Sequence, residues 1–183
     1  AETIAPVLAA AERKPLFVDC NPIAPDKKKI IDQIITDSGA RFAEGSIIGP
    51  IPRADYPGPM IYVAGEHARD VEALKQHGLR IHALDAPIGT AASLKLAYAA
   101  ISKGVFAVAT SAILGASRAG VADELYREFA ASQPGIMAFI ARGIPDMVNK
   151  TGRWVDEMRE ISAFLGSDRI EGALYRDVSD LYG

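Results

Sequence analysis

The sequence has one cysteine, three histidines and no excess of basic residues, and each shortage excludes a class of function. A single cysteine, Cys20, excludes an internal disulfide framework and fits a reducing compartment. Because Cys20 ends an apolar run, we expect a buried and unreactive thiol. His67, His77 and His82 are scattered among polar segments without metal-ligand spacing, so we predict no metal site. A formal net charge of -3 argues against nucleic acid as the main partner, because phosphate binding needs a concentrated basic face.

The sequence also lacks an evident membrane-directing segment. Its first residues, AETIAPVLAAAERKP, are amphipathic and charged at both ends, unlike a signal peptide. The longest apolar run, GVFAVATSAILGA, is too short to span a bilayer and lies between Lys103 and Arg118. We therefore expect a cytoplasmic protein. The dense basic run DKKK, at 26–29, is predicted to form the solvated first turns of a helix.

The first half of the chain alternates between strand and helix patterns. Apolar runs that stop at polar turns predict four strands, LFVDCN, RFAEGSIIG, MIYVAG and LRIHAL. Helices are predicted before the first strand, over APDKKKIIDQIITDSGA and over EHARDVEALKQHG. This alternation indicates an α/β layer in which much of the sheet is parallel.

From Gly89 onward the pattern is helical only. Helices are predicted at about 89–119, 121–132, 134–149 and 151–166, with another turn or two in the tail. The predicted fold class is therefore α/β followed by all-α, with the boundary near Pro87. A layer of three or four strands is thin, and no Gly-x-Gly-x-x-Gly joins a strand to a helix. We expect this chain to be the later part of a larger protein.

The chain contains four short motifs, in the order FVDCNPIAP, RFAEGSIIGPIP, GPMIYVAG and GTAASLKLAYAAISKG. From about residue 5 to 165, their order and spacing resemble the β-hydroxyacid dehydrogenase superfamily, which includes 3-hydroxyisobutyrate and 6-phosphogluconate dehydrogenases. The resemblance implies the later half of a Rossmann-like nucleotide-binding domain in residues 1–88. It also implies a helical substrate-binding and dimerisation domain in residues 89–183, entered through a long interdomain helix. The N-terminal Gly-rich half of the family's pattern has no counterpart in this sequence.

Lys95 is the candidate catalytic residue. From the residues alone, it is either a lysine that reaches solvent from a packed helix or a cation that projects into a cleft. Its helical face is otherwise made mostly of small side chains: Ile88, Ala91, Ala92, Tyr98, Ala99 and Ser102. The resemblance implies that Lys95 is the general acid/base, which takes the hydroxyl proton while hydride leaves the carbon.

The resemblance also implies a cofactor site and a substrate site. The implied cofactor is NADP or NAD, with Asn21 and Pro22 in the loop that passes beside the nicotinamide. Ile48, Gly49 and Pro50 fall in the substrate-binding turn, where well-studied relatives carry a serine in place of Ile48. This departure suggests a substrate other than the usual small 3-hydroxy acid, or a more apolar one.

Further substrate contacts are expected from two helices. Related dehydrogenases carry an asparagine where this chain has Ala99, and Tyr98 and Ser102 are candidate replacements for its polar group. Arg153 is a candidate partner for a substrate carboxylate, because its planar fork suits that geometry. A surface ion pair between Arg153 and Glu157, at i and i+4, is the alternative. Trp154 is expected in the core or at an interface.

Two classes of function therefore fit the sequence. The first is an NAD(P)-dependent oxidoreductase that acts on a hydroxy acid or a related carbonyl compound. The alternative is a non-catalytic binding and dimerisation module, or a truncated fragment of such an enzyme, without nucleotide binding of its own. A homodimer is expected in either case, because the helix around GVFAVATSAILGAS is apolar over a wide arc and the resembling families pair through these helices.

Overall fold

The computed structural model of the chain describes residues 1–148 and 150–183. These residues form two compact units, 1–97 and 98–183, and each is described separately. The strands are β1 (Leu16–Asp19), β2 (Arg41–Ile48), β3 (Met60–Ala64) and β4 (Arg80–Ala83). The helices are α1 (Ala5–Ala10), α2 (Pro25–Asp37), α3 (Ala68–Val71), α4 (Thr90–Ala119), α5 (Ala122–Ser132), α6 (Pro134–Val148), α7 (Thr151–Leu165) and α8 (Ile170–Tyr182), and a 3₁₀ helix (Glu72–His77) follows α3. The predicted change from an α/β layer to helices alone is confirmed.

The first unit is built on a mixed sheet with the strand order β1-β2-β3-β4. β1 is parallel to β2 because α2 carries the chain back between them, and β3 is parallel to β4 across α3 and the 3₁₀ helix. β2 and β3 are antiparallel because a loop, residues 49–59, joins them without a crossover helix. The sequence predicted a largely parallel sheet, and this middle pair is the exception.

Apolar side chains cover both faces of the sheet. On one face, Phe42 of β2 packs with Leu8 of α1 and Ile35 of α2. On the other face, Val63 of β3 packs with Val71 of α3. Of the charged side chains on these strands, Asp19 and Glu44 are buried, whereas Arg41 and Arg80 are exposed.

α4 begins in the first unit and continues as the first helix of the second. It is long enough and apolar enough to cross a membrane by length and composition alone, and 22% of its most apolar window is buried. The apolar run that was expected to be too short for a span is therefore part of a longer apolar helix. Length and composition alone do not separate a membrane span from the core helix of a soluble protein.

In the second unit, polar contacts hold α7 and α8 against α4. Tyr175 Oη donates to the Ala100 carbonyl at 2.8 Å, and Tyr182 Oη donates to the Lys103 carbonyl at 2.7 Å. Burial raises the pKa of Tyr182 to about 12, so this phenol remains a donor across the physiological pH range. Lys103 forms an ion pair with Glu157, and both side chains are mostly buried. α4 is thus held against α7 and α8 through charged and polar groups.

One side of the second unit is an apolar groove of about 700 Å³. Its walls come from α4, α5, α6 and α8. Ile101 and Val108 of α4 line it although they are 72% and 65% exposed, and Tyr126 and Leu174 line it from α5 and α8. An apolar surface of this extent is one that soluble proteins usually cover with a partner.

Two glycines of α6 test its packing against α4, one at the contact and one away from it. A Cβ on Gly143 would lie 2.0 Å from the Phe106 ring, which is stacked between Phe139 and Trp154. We expect Gly143→Ala to lower the free energy of unfolding by about 1–3 kcal/mol in urea denaturation, because the ring has no room to move. Gly135→Ala, where no atom lies within 4 Å of the added Cβ, should be neutral or slightly stabilising. Equal effects of the two substitutions would contradict this packing.

Candidate active site

The carboxyl end of β1 carries the loop that the resemblance associates with the cofactor. Asp19, the last residue of β1, is 4% exposed. Its Oδ1 accepts hydrogen bonds from the Asn21 side-chain Nδ2 at 2.5 Å and from the Asn21 backbone N–H at 3.3 Å. Asn21 and Pro22 are themselves exposed. The buried carboxylate therefore fixes the turn and leaves its tip open to solvent.

Lys28 neutralises Asp19 from inside the protein. It is completely buried on α2, and its Nζ donates to Asp19 Oδ2 at 2.6 Å and to the Asp19 carbonyl at 2.8 Å. The prediction that DKKK is solvated is wrong for Lys28, because this position on α2 faces the end of β1. Lys27 and Lys29, on either side, are exposed as predicted.

Glu44 joins the start of α4 to the sheet. It lies in the middle of β2 and is completely buried. Its Oε2 accepts from the Gly89 N–H and its Oε1 from the Ala92 N–H, each at 2.6 Å. The first N–H groups of a helix have no partner within the helix, and a carboxylate beside them is also favoured by the helix dipole. Burial raises the pKa of the Glu44 carboxyl, while the two N–H groups and the charge of Lys28 act in the opposite direction.

Lys95 lies one turn beyond Ala92 on α4 and is half-buried. Its charge acts on the thiol of Cys20, the residue that precedes Asn21. The candidate general acid/base and the loop after β1 thus belong to the same unit. Burial raises the pKa of the Cys20 thiol in spite of Lys28 and Lys95, so the thiol is protonated at neutral pH. The sequence predicted a buried and unreactive thiol, whereas Cys20 is only half-buried.

The predicted substrate turn leaves the same end of the sheet as the Asn21 loop. Glu44 of β2 is level with Asp19 of β1, and β2 continues from there to Ile48. Gly49 follows with φ +126°, a region that favours glycine, and a Cβ at this position would lie 2.7 Å from Tyr56 Oη. Ile48 is half-buried, and Gly49 and Pro50 are exposed. The turn therefore presents backbone and apolar atoms.

Tyr98 and Arg153 belong to the second unit, and both are exposed. Trp154 is 6% exposed, with the Lys103 Nζ 4.9 Å from its ring centroid, so it is a core residue of that unit. Glu157 forms an ion pair with Lys103, whereas the sequence suggested Arg153 as its partner. The guanidinium of Arg153 is thus at the surface of the second unit.

Sequence reasoning missed Asp19, Lys28 and Glu44, which build the interior of this site. Two of them had a signal: one carboxylate ends a buried strand and the other lies in the middle of one, and carboxylates are seldom buried unless they are paired. Nothing in the sequence distinguishes Lys28 from Lys27 and Lys29. Among residues 1–148 and 150–183, no group of three or more His, Cys, Asp or Glu side chains is arranged to hold a metal ion.

Comparison with known proteins supports the resemblance found in the motifs. Residues 116–183 match the family described as a domain of unknown function (DUF1932). An uncharacterized 28.5 kDa protein of Methanothermus fervidus is 22% identical over 171 residues, which cover 92% of this chain and 65% of that protein. The chain therefore spans about two thirds of the length of this relative.

Solved structures are similar over nearly the whole chain. Conserved protein MTH1747, a protein of unknown function with structural similarity to 3-hydroxyacid dehydrogenases, gives a TM-score of 0.77 at 21% identity, covering 99% of this chain and 71% of that one. Psf3 in complex with NADP⁺ and 2-OPP gives a TM-score of 0.69 at 17% identity, and the match covers 95% of this chain and 65% of that one. The 3-hydroxyisobutyrate dehydrogenase of Mycobacterium tuberculosis, solved with L-serine, gives a TM-score of 0.67 at 15% identity. The match covers 97% of this chain and 67% of that one.

The chain has the 3-hydroxyacid dehydrogenase-like fold. Because the identities with these structures are low, the likeness establishes the arrangement of strands and helices. The predicted resemblance is confirmed at that level.

The buried ion pair generates a second test. Replacing Lys28 by Met leaves the Asp19 carboxylate buried without its cation, and we expect the free energy of unfolding to fall by about 3–5 kcal/mol. Lys29→Met removes an exposed pair with Asp26 and should cost at most about 1 kcal/mol. Chemical denaturation of the two variants measures the difference. Equal, small losses would show that the ion pair does not stabilise the fold.

Proposed function

We propose that the protein containing this chain is an NAD(P)-dependent oxidoreductase of the 3-hydroxyacid dehydrogenase type, with Lys95 as its general acid/base. The observation that supports the proposal is the position of Lys95 on α4, one turn beyond the Ala92 N–H that Glu44 binds, in the same unit as the loop after β1. The charge of Lys95 also acts to lower the pKa of the Cys20 thiol, next to Asn21. The likeness to 3-hydroxyacid dehydrogenases adds support from the fold.

The proposed role of Lys95 is to move one proton. In the oxidation direction, its neutral amine accepts the proton of the substrate hydroxyl as the carbon–oxygen double bond forms, while hydride leaves the same carbon. In the reduction direction, its ammonium group returns that proton to the oxygen. The nicotinamide ring of NAD or NADP supplies the acceptor or donor of the hydride.

Asn21 and Pro22 fit one end of such a cofactor. They are exposed at the carboxyl end of β1, and in α/β sheets ligands bind beyond the carboxyl ends of parallel strands. The sequence has no Gly-rich turn for the pyrophosphate. Residues 1–88 therefore correspond, in this proposal, to the later part of a nucleotide-binding domain, and this chain alone should bind NAD or NADP weakly or not at all.

The proposed substrate is a small hydroxy acid or a related carbonyl compound. The turn formed by Ile48, Gly49 and Pro50 offers it backbone and apolar contacts, which favour a less polar group than a serine-bearing turn does. Tyr98 and Arg153 are the proposed polar contacts from residues 89–183, and Arg153 is suited to a carboxylate.

Substitution of Lys95 tests the reaction. In the full-length protein containing this chain, we expect Lys95→Ala to lower kcat by about 10²–10⁴-fold, because general acid/base catalysis contributes that much. Cofactor affinity should stay nearly unchanged, since the amine acts on the substrate proton. Reduction of NAD⁺ or NADP⁺ by a panel of 3-hydroxy acids, and oxidation of NADH or NADPH by the matching carbonyl compounds, gives kcat in the two directions. Fluorescence titration with NADH or NADPH gives the cofactor affinity.

Lys75→Ala, which removes a lysine from the surface of the same unit, is the control and should leave turnover unchanged. If Lys95→Ala keeps activity within about tenfold of the parent protein, Lys95 is not the acid/base. If the full-length protein neither binds nor turns over a nicotinamide cofactor, the non-catalytic module becomes the better explanation.

We also propose that the protein is cytoplasmic and forms a homodimer through residues 89–183. The groove of the second unit supports a second copy as its cover, because its lining is apolar and includes Ile101 and Val108, which are exposed. A bilayer is the less suitable cover, because α4 also carries Lys103 in a mostly buried ion pair. A wide apolar helix face that is exposed in one chain can be buried against the same face of a second copy, which favours pairing in water.

Val108→Glu tests this dimer, with Val7→Glu as a matched control. The two valines are 65% and 62% exposed, but Val7 lies on α1, outside the groove. We expect Val108→Glu to shift sedimentation equilibrium toward the chain mass of 19.5 kDa, and Val7→Glu to have no effect. A parent chain that sediments as a monomer, or floats with lipid vesicles, would overturn the proposed dimer.

A further inference from the structure

Glu44 makes an unusual connection between the sheet and a helix. Both of its carboxylate oxygens are used by one helix terminus, with the Gly89 and Ala92 N–H groups each 2.6 Å away. The side chain is completely buried, and Ala91 and Ala92 beside it are 0% and 3% exposed. The first turn of α4 is therefore held on β2 by two hydrogen bonds to a charged group and by close packing. Hydrogen bonds to a charged group are stronger than neutral ones.

We propose that Glu44 is a positioning residue, whose carboxylate sets the height and rotation of α4 and so places the Lys95 amine against the loop after β1. Ala92 and Lys95 are three residues apart, so they share a helix face and are separated by about 4.5 Å along the axis at about 1.5 Å per residue. The hydrogen bond at Ala92 thus lies less than one turn from the Lys95 backbone. The catalytic meaning of this placement rests on the proposed function of Lys95.

The other half of the site is fixed by the neighbouring carboxylate. Asp19 and Glu44 are register partners on the parallel strands β1 and β2. Asp19 holds Asn21, and Glu44 holds the start of α4, while the charge of Lys28 acts on both carboxylates. Two carboxylates at paired positions of β1 and β2 therefore hold the two segments that carry Asn21 and Lys95.

Glu44→Gln tests the placement on this chain without any need for turnover. Glutamine keeps the size of the side chain but offers one acceptor oxygen instead of two, so one of the two N–H groups loses its partner. We expect amide hydrogen exchange at Gly89 and Ala92 to become about tenfold faster, and the Lys95 side-chain NMR signal to shift. Exchange at Ile35 of α2 should not change.

Ser46→Ala is the matched control for these measurements. Ser46 is the next inward-facing residue of β2, is 1% exposed, and its hydroxyl has no hydrogen-bond partner in the described part of the chain. We expect this substitution to leave Gly89, Ala92 and Lys95 as in the parent chain. Glu44→Ala removes both acceptor oxygens, and we expect it to speed amide exchange at Gly89 and Ala92 more than Glu44→Gln does.

A kinetic measurement separates positioning from stability. In the full-length protein, Glu44→Gln should lower kcat by roughly ten- to a hundredfold, because small misplacements of a catalytic group have effects of that size. KM for cofactor and substrate should change by less than about threefold. Unchanged Gly89, Ala92 and Lys95 signals, or faster exchange spread equally over Ile35, would overturn the role of Glu44. Full activity of Lys95→Ala would instead overturn the proposed acid/base and leave the anchoring result as measured.

Discussion

The buried charge of Lys28 is the interaction on which the rest of the first unit depends. Two buried carboxylates, Asp19 and Glu44, are register partners on the neighbouring strands β1 and β2. Lys28 binds Asp19 directly, and its field reaches Glu44. Because burial of a charge is costly, such a cluster is retained only where its hydrogen bonds are well formed. Here they hold a loop and a helix terminus at the same end of the sheet.

α4 connects two different physical environments. The N–H groups at its start donate to the Glu44 carboxylate, and its later turns form an apolar wall of the groove in the second unit. The apolar remainder explains why α4 resembles a membrane span in composition. Lys103 and the two tyrosines of α8 hold that remainder against α7 and α8.

Most of the fold could be predicted from local patterns. The run Leu16–Asp19 ends at a polar turn, as a buried strand does, and α4 lies within one residue of its predicted bounds. The antiparallel pairing of β2 with β3 was not predicted, because strand direction depends on whether a crossover helix follows the strand. The loop at residues 49–59 is rich in proline and glycine, and it returns the chain beside β2. Local spacing describes each element but not the direction of its neighbour.

The sequence by itself determined the order of the elements, the position of Lys95 near the start of a long helix, and the likeness of four motifs to one superfamily. Only the tertiary structure decided which charges are buried. Residues 27–29 are three consecutive lysines, yet only the middle one, Lys28, lies on the side of α2 that contacts Asp19. In the sequence, Glu44 is one charged residue in a predicted strand. The structure shows that it binds the N-terminus of α4, a helix that begins 46 residues later, at Thr90. Burial and pairing depend on contacts between distant segments, and no local pattern encodes them.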